Sequence, residues 1–315
     1  MIVFTDVEQI PLDFGASAVT IGKFDGVHAG HRAVISGLRA IADARGLRSV
    51  VVTFDRHPLE TLAPGKAPLA LVGTRQKLDL LEETGVDAVL VLTFDRLMAA
   101  LEPETFVRAI LCNTLDAKVV LVGEDFRYGR GGAGSVATLT EQGKAEGFDV
   151  IAIDDVVPRE NRRLSSTWIR ELLSEGRVDL ASVLLGHYPS MRGIVVHGAK
   201  RGRELGFPTA NLSPESTGYI PADGIYAGWL RHGENRYRAA ISVGNNPTFE
   251  GVPQKQVEAF LPGQDIDLYD AEVELDFVER VRGMVAYEGV GPLIAQMHRD
   301  VDAVNEILDA KNPAA

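Results

Sequence analysis

Short apolar runs alternate with segments of helical periodicity through the first half of the chain. The runs cover residues 18–21, 50–53, 88–92, 118–122 and 150–153, and the helical patterns cover residues 33–44, 75–83, 103–111 and 136–146. Alternating strands and helices are typical of βαβ units, in which the strands of one sheet run parallel. We therefore predict an α/β domain with a parallel sheet. Ligands of such sheets bind at the carboxyl ends of the strands, so the segments after the runs are the first candidates for a site.

The pattern changes near Gly186, after a helical pattern at residues 167–174 and a second apolar segment at residues 178–185. Beyond it, strand-like runs broken by glycines cover residues 193–196, 224–230, 239–243, 257–261 and 272–278. Closely spaced strands with turn signals predict a small β-barrel. A final amphipathic helix is predicted over residues 292–308, its apolar face marked by Leu293, Met297, Val301, Val304 and Leu308. We place the boundary at Gly186, which gives domains of residues 1–186 and 187–315.

Length, charge and cysteine content restrict the class of protein. A chain of 315 residues favours two domains over one. Its 32 basic and 44 acidic residues give a net charge of −12, which argues against nucleic acid or an anionic membrane as a partner. Cys112 is the only cysteine, so no intrachain disulfide forms, as is usual in reducing compartments. No apolar run is long enough to span a bilayer and no signal peptide is evident, so we expect a cytoplasmic protein.

The sequence G-K-F-D-G-V-H-A-G-H occupies residues 22–31, between the first apolar run and the first helical pattern. Free backbone N–H groups and the positive end of the helix dipole make such a junction a natural phosphate site. Glycines let the backbone approach an anion closely, and His28 and His31 are close enough in sequence to face one ligand. The alternative is a capping turn with two surface histidines. The phosphate interpretation points to phosphoryl or nucleotidyl transfer.

A second candidate phosphate site is the sequence L-S-S-T-W-I-R at residues 164–170. Hydroxyl groups just before a helix are usually N-caps, and Arg170 would then be one more exposed helix charge. The same groups, Ser165, Ser166, Thr167 and Arg170, also suit a polyphosphate clamp at a helix N-terminus. The residues alone leave both interpretations open.

Two loops with aromatic residues follow predicted strands on the ligand side of the sheet. Residues 53–58 read T-F-D-R-H-P, and residues 123–129 read G-E-D-F-R-Y-G. Phe54, Phe126 and Tyr128 are either core residues and loop anchors or, together, an aromatic surface for a flat ring. Asp125 is the polar group expected to contact such a ring.

A glycine-rich segment at residues 129–134 matches G-x-G-x-x-G, with Asp154 about the distance downstream that dinucleotide-binding folds require. The preceding strand ends near Gly123, too early for the tight turn of that fingerprint. We therefore disfavour a nicotinamide dinucleotide site and interpret the segment as a mobile glycine loop over the ligand.

The second domain opens with H-G-A-K-R-G-R-E-L-G-F-P-T-A-N at residues 197–211. Glycines with basic residues can cradle phosphates, although the G-K-[ST] ending of a Walker A loop is absent. The candidate cradle comprises Gly198, Lys200, Gly202, Arg203 and Gly206. Residues 208–211 form either a turn or a site where Thr209 and Asn211 offer neutral oxygens to Mg²⁺. Glu258 is either a solvent-facing strand residue or a general base poised over a hydroxyl.

In their order and spacing, these motifs resemble the bacterial bifunctional riboflavin kinase/FMN adenylyltransferases, the prokaryotic FAD synthetases, over nearly the whole chain. The resemblance rests on residues 22–31, 53–58, 123–129, 165–170 and 198–211, and on Glu258 with Asp267, Leu268 and Tyr269. It implies a Rossmann-like nucleotidyltransferase domain followed by a small β-barrel kinase domain. The barrel would phosphorylate riboflavin with ATP to give FMN. The first domain would join FMN to the AMP part of a second ATP, giving FAD and pyrophosphate.

The resemblance also implies roles for single residues. His28 and His31 would stabilise charge on the ATP α-phosphate, and Glu258 would activate the ribityl hydroxyl. The other ATP and phosphate contacts would come from Gly22, Phe24, Gly26, Gly30, Ser165, Ser166, Thr167, Arg170 and the cradle that begins at Gly198. The flavin would be held by Phe54, His57, Pro58, Asp125, Phe126 and Tyr128. Thr209 and Asn211 would bind Mg²⁺ with ATP.

The chain departs from the family pattern at three places. Arg56 stands where proline is usual, L-P-G-Q-D at residues 261–265 replaces an apolar-Asp-Phe stretch, and Asp270 stands where glycine is common. Two other hypotheses are an adenylyltransferase for another phosphorylated metabolite and a non-enzymatic flavin-binding protein. Residues 208–211 with Glu258 argue against the first, and the two phosphate motifs of the first domain argue against the second. The expected partners are ATP, riboflavin, FMN and FAD, and a homo-oligomer is compatible with the sequence.

Overall fold

The computed structural model describes residues 1–153, 162–198, 206–244 and 255–311. The chain forms two compact units, Met1–Ala70 with Thr74–Ser165 and Leu71–Gly73 with Ser166–Ala315. Within the described ranges, no helix is long and apolar enough to cross a membrane.

The first unit is an α/β fold. Its strands are β1 (Ile2–Phe4), β2 (Ser17–Ile21), β3 (Arg48–Phe54), β4 (Ala88–Leu92), β5 (Ala117–Gly123), β6 (Arg127–Tyr128), β7 (Gly134–Ser135) and β8 (Asp149–Ile153). Its helices are α1 (Ala29–Arg45), α2 (Pro58–Leu62), α3 (Thr74–Glu82), α4 (Arg96–Ala99), α5 (Pro103–Phe106) and α6 (Val136–Glu146), with a π-helical segment at Val107–Thr114. The main sheet has the order β1-β4-β3-β2-β5-β8, and all its neighbouring strands are parallel.

Both faces of this sheet are covered, as expected for parallel strands that read as continuous apolar runs. Val50 and Val52 of β3 lie in one hydrophobic cluster, whereas Val51 between them lies in another. Every residue of β2 and of β4 is buried. The predicted parallel sheet is therefore confirmed.

The glycine-rich segment forms a hairpin rather than a dinucleotide fingerprint. β5 ends at Gly123, and β6 pairs with β7 before α6 begins. A Cβ on Gly129 would lie 2.7 Å from Pro103, and one on Gly134 would lie 2.5 Å from the Tyr128 ring. Close packing therefore accounts for these two glycines.

The second unit contains helices α7 (Ser166–Ser174) and α8 (Val178–Leu185) and then a barrel. The barrel strands are β9 (Ser190–Val196), β10 (Thr209–Leu212), β11 (Gly224–His232), β12 (Asn235–Gly244), β13 (Gln256–Phe260) and β14 (Glu272–Arg282). They close in the order β10-β13-β12-β11-β14-β9 with antiparallel neighbours, as predicted. β10 was not predicted as a strand, because residues 208–211 read equally well as a turn.

The final helix, α9 (Val290–Lys311), packs on the barrel. Val304 and Leu308 are buried in a cluster with Trp229 and Val278, whereas the other predicted apolar-face residues are half-buried. Asp300 is also buried on α9, where its carboxylate accepts hydrogen bonds of 2.8 and 2.6 Å from the Arg282 guanidinium. An ion pair thus replaces apolar packing at one position of this helix face.

The two units divide between Ser165 and Ser166, so α7 and α8 group with the barrel. Ala222 N donates to Leu173 O at 2.9 Å, which joins the end of α7 to the segment before β11. The domain boundary predicted at Gly186 stays a prediction.

Candidate active sites

The turn of residues 22–28 follows β2 at the topological switch point of the sheet. β2 pairs with β3 on one side and with β5 on the other, and the order of strands reverses between β2 and β5. Ligands of open α/β sheets bind at the carboxyl ends of the strands at this point. The predicted phosphate turn and the loop of Asp125 leave these two neighbouring strand ends.

The turn is held in a strained conformation by buried side chains. Phe24 and Val27 have φ angles of 48° and 39°, in the left-handed region that side chains rarely adopt. Their exposed fractions are only 2% and 0%, and both side chains lie in one hydrophobic cluster. Such strain persists where the surrounding structure enforces it. The Phe24 side chain therefore anchors the turn, so any contact of this residue with ATP comes from its main chain.

His28 is the N-cap of α1. Its Nδ1 accepts a hydrogen bond of 3.3 Å from the backbone N–H of His31. In a neutral imidazole that accepts at Nδ1, the proton is on Nε2, which makes Nε2 a hydrogen-bond donor. Gly30 stands between the two histidines, and a Cβ at this position would lie 3.3 Å from the His28 imidazole. Glycine here therefore leaves room for the capping side chain. The capping alternative and the catalytic one are thus compatible.

The His31 imidazole is stacked on that of His28, with ring centroids 3.6 Å apart and an interplanar angle of 12°. Burial, followed by the charges of His28, Lys23 and Lys77, holds the pKa of His31 well below 6.5, so the ring is neutral at pH 7. Within the described residues, its Nδ1 is buried without a hydrogen-bond partner. A buried polar atom of this kind is costly to leave without a partner.

Lys77 of α3 lies beside this turn and was not identified from the sequence. Its Nζ donates to Phe54 O at 2.6 Å and to Thr53 Oγ1 at 3.4 Å. Burial lowers the pKa of its ammonium group, whereas the charges of Asp25 and Asp55 raise it. No sequence motif marks Lys77, because it stands in an ordinary helical pattern.

The loop after β5 only partly matches the predicted flavin surface. Asp125 is largely exposed and pairs with Arg163 at 2.7 Å, which lowers the pKa of the Asp125 carboxyl. Phe126 is partly buried and stacks on Tyr128, with centroids 5.5 Å apart. Tyr128 is only 6% exposed, and its hydroxyl donates to Gln142 at 2.9 Å. Tyr128 is thus a core residue in this structure, which is one of the two interpretations that the sequence left open.

The loop after β3 is organised by helix capping. The His57 Nδ1 accepts from Leu59 N at 3.1 Å, while His57 N donates to Glu60 at 2.9 Å, and Pro58 is the first residue of α2. Phe54 packs edge-on against Phe94 at 5.2 Å. Arg56, a departure from the family pattern, forms an ion pair of 2.7 Å with the neighbouring Asp55. The predicted flavin residues of this loop therefore have structural roles of their own.

The S-S-T-x-x-R residues begin α7. Ser165 precedes the first helical residue, Ser166, and Thr167 and Arg170 lie within the next turn. Ser166 and Arg170 are four residues apart and so lie on one face of the helix. Ser165 is the last residue of the first unit, and the remaining three belong to the second.

In the second unit, the candidate catalytic side chains meet on one face of two paired strands. Asn211 of β10 is opposite Glu258 of β13, and Thr209 is two residues from Asn211. Residues i and i+2 of a strand share a face. Thr209 Oγ1 donates to Glu258 at 3.2 Å and accepts from the Asn211 amide at 3.2 Å. The three predicted residues are therefore brought together by strand register.

A cavity of about 330 Å³ adjoins this face. It is lined by Val195, Gly198, Pro208, Thr209, Ala210, Asn211, Leu261, Gln264, Asp265, Ile266, Asp267, Leu268 and Tyr269. Three of these stand in the segment 261–265 that departs from the family pattern. A Cβ on Gly198 would come within 2.5 Å of the Asn211 amide, so this glycine permits the close approach of β9 to β10. Lys200, Gly202 and Arg203 of the predicted cradle lie outside the described residues, and Gly206 has a φ angle of 85°.

Thr209 and Asn211 fit Mg²⁺ by the chemistry of their donors. Mg²⁺ prefers hard oxygen ligands and is usually held by few protein groups together with substrate phosphates. Asn211 uses its amide nitrogen in the bonds to Thr209, so its amide oxygen is not engaged in them. In the described residues there is no group of three or more histidine, cysteine or acidic side chains that could hold a metal ion.

Comparison with known proteins identifies the same two parts. A family model described as FAD synthetase matches residues 11–168, and one described as riboflavin kinase matches residues 185–308. The bifunctional riboflavin kinase/FMN adenylyltransferase of Escherichia coli (strain K12) is 38% identical over 297 residues, 94% of each chain. The enzyme of that name from Bacillus subtilis (strain 168) is 33% identical over 90% of each chain.

A solved structure from Streptococcus pneumoniae, which carries the description macrolide-efflux protein, is also similar. It is 30% identical with a TM-score of 0.86, and the match covers 96% of this chain and 98% of that one. The family models and the curated relatives agree with each other and with the two groups of residues described above. The chain belongs to the family of bifunctional riboflavin kinase/FMN adenylyltransferases.

Proposed function

We propose that the two reactions of this bifunctional enzyme are carried out by separate sets of residues. FMN adenylylation would use residues 22–31 and 165–170, and riboflavin phosphorylation would use the face of β10 and β13. The observation that best supports this assignment concerns the second set of residues. Thr209, Asn211 and Glu258 are linked by hydrogen bonds, and they lie beside a cavity.

In adenylylation, a phosphate oxygen of FMN attacks the α-phosphorus of ATP, and the bond to the bridging oxygen of pyrophosphate breaks. The nucleophile is already an anion, so positioning and charge stabilisation are the main requirements. His28 would donate from Nε2 to an α-phosphate oxygen, and His31 would take up developing charge. Ser165, Ser166, Thr167 and Arg170 would bind the β- and γ-phosphates. Phe54, His57, Pro58, Asp125 and Phe126 would position the flavin.

In phosphorylation, the terminal ribityl hydroxyl of riboflavin attacks the γ-phosphorus of ATP, and ADP leaves. Glu258 would accept the hydroxyl proton. Its hydrogen bond with Thr209 would keep the carboxylate in place before the substrate binds. Thr209 and Asn211 would hold Mg²⁺, which neutralises phosphate charge when bound. A cytoplasmic location and a homo-oligomer stay predictions.

The test is to incubate variants with riboflavin, ATP and Mg²⁺ and to separate the flavins. His28→Asn keeps a good N-cap residue and removes the imidazole, so we expect FMN to accumulate without FAD. Glu258→Gln should abolish FMN formation and leave the adenylylation of supplied FMN unchanged. Glu234→Gln, an exposed residue of the second unit, is the control. Wild-type FAD formation by His28→Asn, or loss of both activities in Glu258→Gln, would contradict the assignment.

A further inference from the structure

A buried ammonium group lies next to the proposed adenylylation site. Lys77 is only 8% exposed. Among the residues that the structure describes, it is the only buried lysine or arginine. An ammonium group is costly to bury unless it is hydrogen-bonded or paired with an opposite charge. The reaction described above does not use it.

Lys77 joins three segments of the first unit. Its Nζ donates to Phe54 O at 2.6 Å and to Thr53 Oγ1 at 3.4 Å, at the carboxyl end of β3. The Thr53 hydroxyl in turn donates to Lys23 O at 3.2 Å. A chain of hydrogen bonds therefore runs from α3 through β3 to the turn that carries the H-x-G-H histidines.

This chain of bonds ends on the strained part of the turn. Lys23 directly precedes Phe24, the first of the two residues with a positive φ angle. Both oxygens that Lys77 contacts directly are uncharged, so the bonds do not cancel its positive charge. The charged and titratable groups that act on Lys77 or on His31 are Asp25, Asp55, Lys23 and His28.

We propose that Lys77 is a positioning residue for FMN adenylylation, which holds the turn through Thr53 and adds a fixed positive charge beside the phosphate chain of ATP. The proposal rests on the proposed function of the H-x-G-H turn. It predicts two separable effects, one of geometry through Thr53 and one of charge on His31.

The experiment compares Lys77→Met, which removes the charge and the bonds, with Thr53→Val, which keeps the charge and cuts the link to Lys23. We expect both to lower kcat/KM for ATP in adenylylation by about 10- to 100-fold, since small misplacement of reacting groups costs that much. The pKa of His31, measured by NMR in the ligand-free protein, should rise in Lys77→Met and stay unchanged in Thr53→Val. Riboflavin kinase activity should stay unchanged in both. Lys144→Met, an exposed lysine of α6, is the control.

Adenylylation within twofold of wild type in Lys77→Met, or an unchanged pKa of His31 there, would overturn the proposal. So would equal losses of the kinase and adenylyltransferase activities, which would indicate a purely structural role. If Lys77→Met does not fold, Thr53→Val tests the proposal, because the proposal requires this variant to slow adenylylation.

His31→Gln distinguishes failure of the Lys77 proposal from failure of the proposed function. If His31→Gln forms FAD at the wild-type rate, the role of the turn fails, whereas the NMR measurement on Lys77→Met still reports the charge effect.

Discussion

The two candidate sites, both proposed to bind ATP, are built on different kinds of backbone. In the first unit, the side chains project from a turn whose φ angles at Phe24 and Val27 are positive and whose geometry depends on buried anchors. In the second unit, Thr209, Asn211 and Glu258 project from regular antiparallel strands, where register alone places them together. We therefore expect the site on paired strands to tolerate substitutions in the underlying core better than the site on the strained turn does. Substitutions next to its own side chains should be tolerated less well.

Among the changes that compare the two sites, the largest expected effect is a loss of kinase activity in Gly198→Ala. The new Cβ would lie 2.5 Å from the Asn211 amide, so Asn211 must move. We expect kinase kcat/KM to fall about 100-fold while adenylylation of FMN is retained. The matched change at the other site, Gly30→Ala, meets the His28 ring at 3.3 Å and should cost adenylylation less. Gly291→Ala, with no atom within 4 Å, is the control, and a larger loss in Gly30→Ala would reverse the comparison.

The second prediction concerns whether the candidate site on β10 and β13 needs helices α7 and α8. A fragment of residues 166–315 and one of residues 187–315 should both phosphorylate riboflavin, because both contain the barrel. The longer fragment keeps α7 and α8, whose buried side chains include Leu172, Leu173 and Leu184. We expect its melting temperature to be higher by roughly 2–4 °C for each kcal/mol of stability regained. A folded but inactive 187–315 fragment would show that the barrel alone is insufficient.

The third prediction concerns pH. The folded pKa of His31 lies below 6.5, so between that pKa and 6.5 the unfolded state binds more protons. The stability contributed by neutral His31 is therefore complete above about pH 6.5 and decreases as the pH falls, by at most about 1.4 kcal/mol per pH unit for one proton. Urea unfolding of wild type and His31→Gln between pH 7.5 and 5.5 measures it. The difference between the two proteins should change in favour of the variant as the pH falls, and a constant difference would contradict a buried neutral His31.

The smallest effect is expected at Asp270, where the family commonly has glycine. Asp270 has a φ angle of 60°, which costs a residue with a Cβ about 1 kcal/mol or more. Asp270→Gly should therefore raise the free energy of unfolding by on the order of 1 kcal/mol, less the backbone entropy that glycine loses. Thermal unfolding checks this, with kinase activity as the second readout. A destabilised variant would mean that the Asp270 side chain makes a compensating interaction.

The sequence predicted the parts of the fold that depend on periodicity. The strand at residues 88–92 and the helix at 136–146 match β4 and α6 residue for residue. A continuous apolar run marks the strand, and the N-cap Ser135 and the C-cap Gly147 mark the helix. β10 was not recognised, since P-T-A-N is short and has turn residues. Its strand conformation depends on pairing with β9 and β13, which are distant in the chain.

The residues of the candidate sites likewise divide into those that a sequence pattern predicts and those that depend on contacts between distant segments. The histidines, Thr209 and Asn211 were proposed from the sequence because their motifs are local, and Glu258 because it is a carboxylate within an apolar strand-like run. Lys77 was not, because its importance depends on burial against Phe54 and Thr53 from another element. The two interpretations of Tyr128 stayed open for a related reason, since the sequence does not tell whether an aromatic loop residue packs inward.

The closed barrel affects how the folded protein can aggregate by adding strands of other molecules to its sheets. Each of its described strands has a neighbour on both sides, so none offers free N–H and C=O groups to a strand of another molecule. The parallel sheet does end in two edges, but β1 is only three residues long, and short edge strands are poor templates for aggregation. Of the two edges, β8, with its five residues, is the longer one. Any tendency of the folded protein to aggregate by strand addition should therefore arise in the adenylyltransferase half.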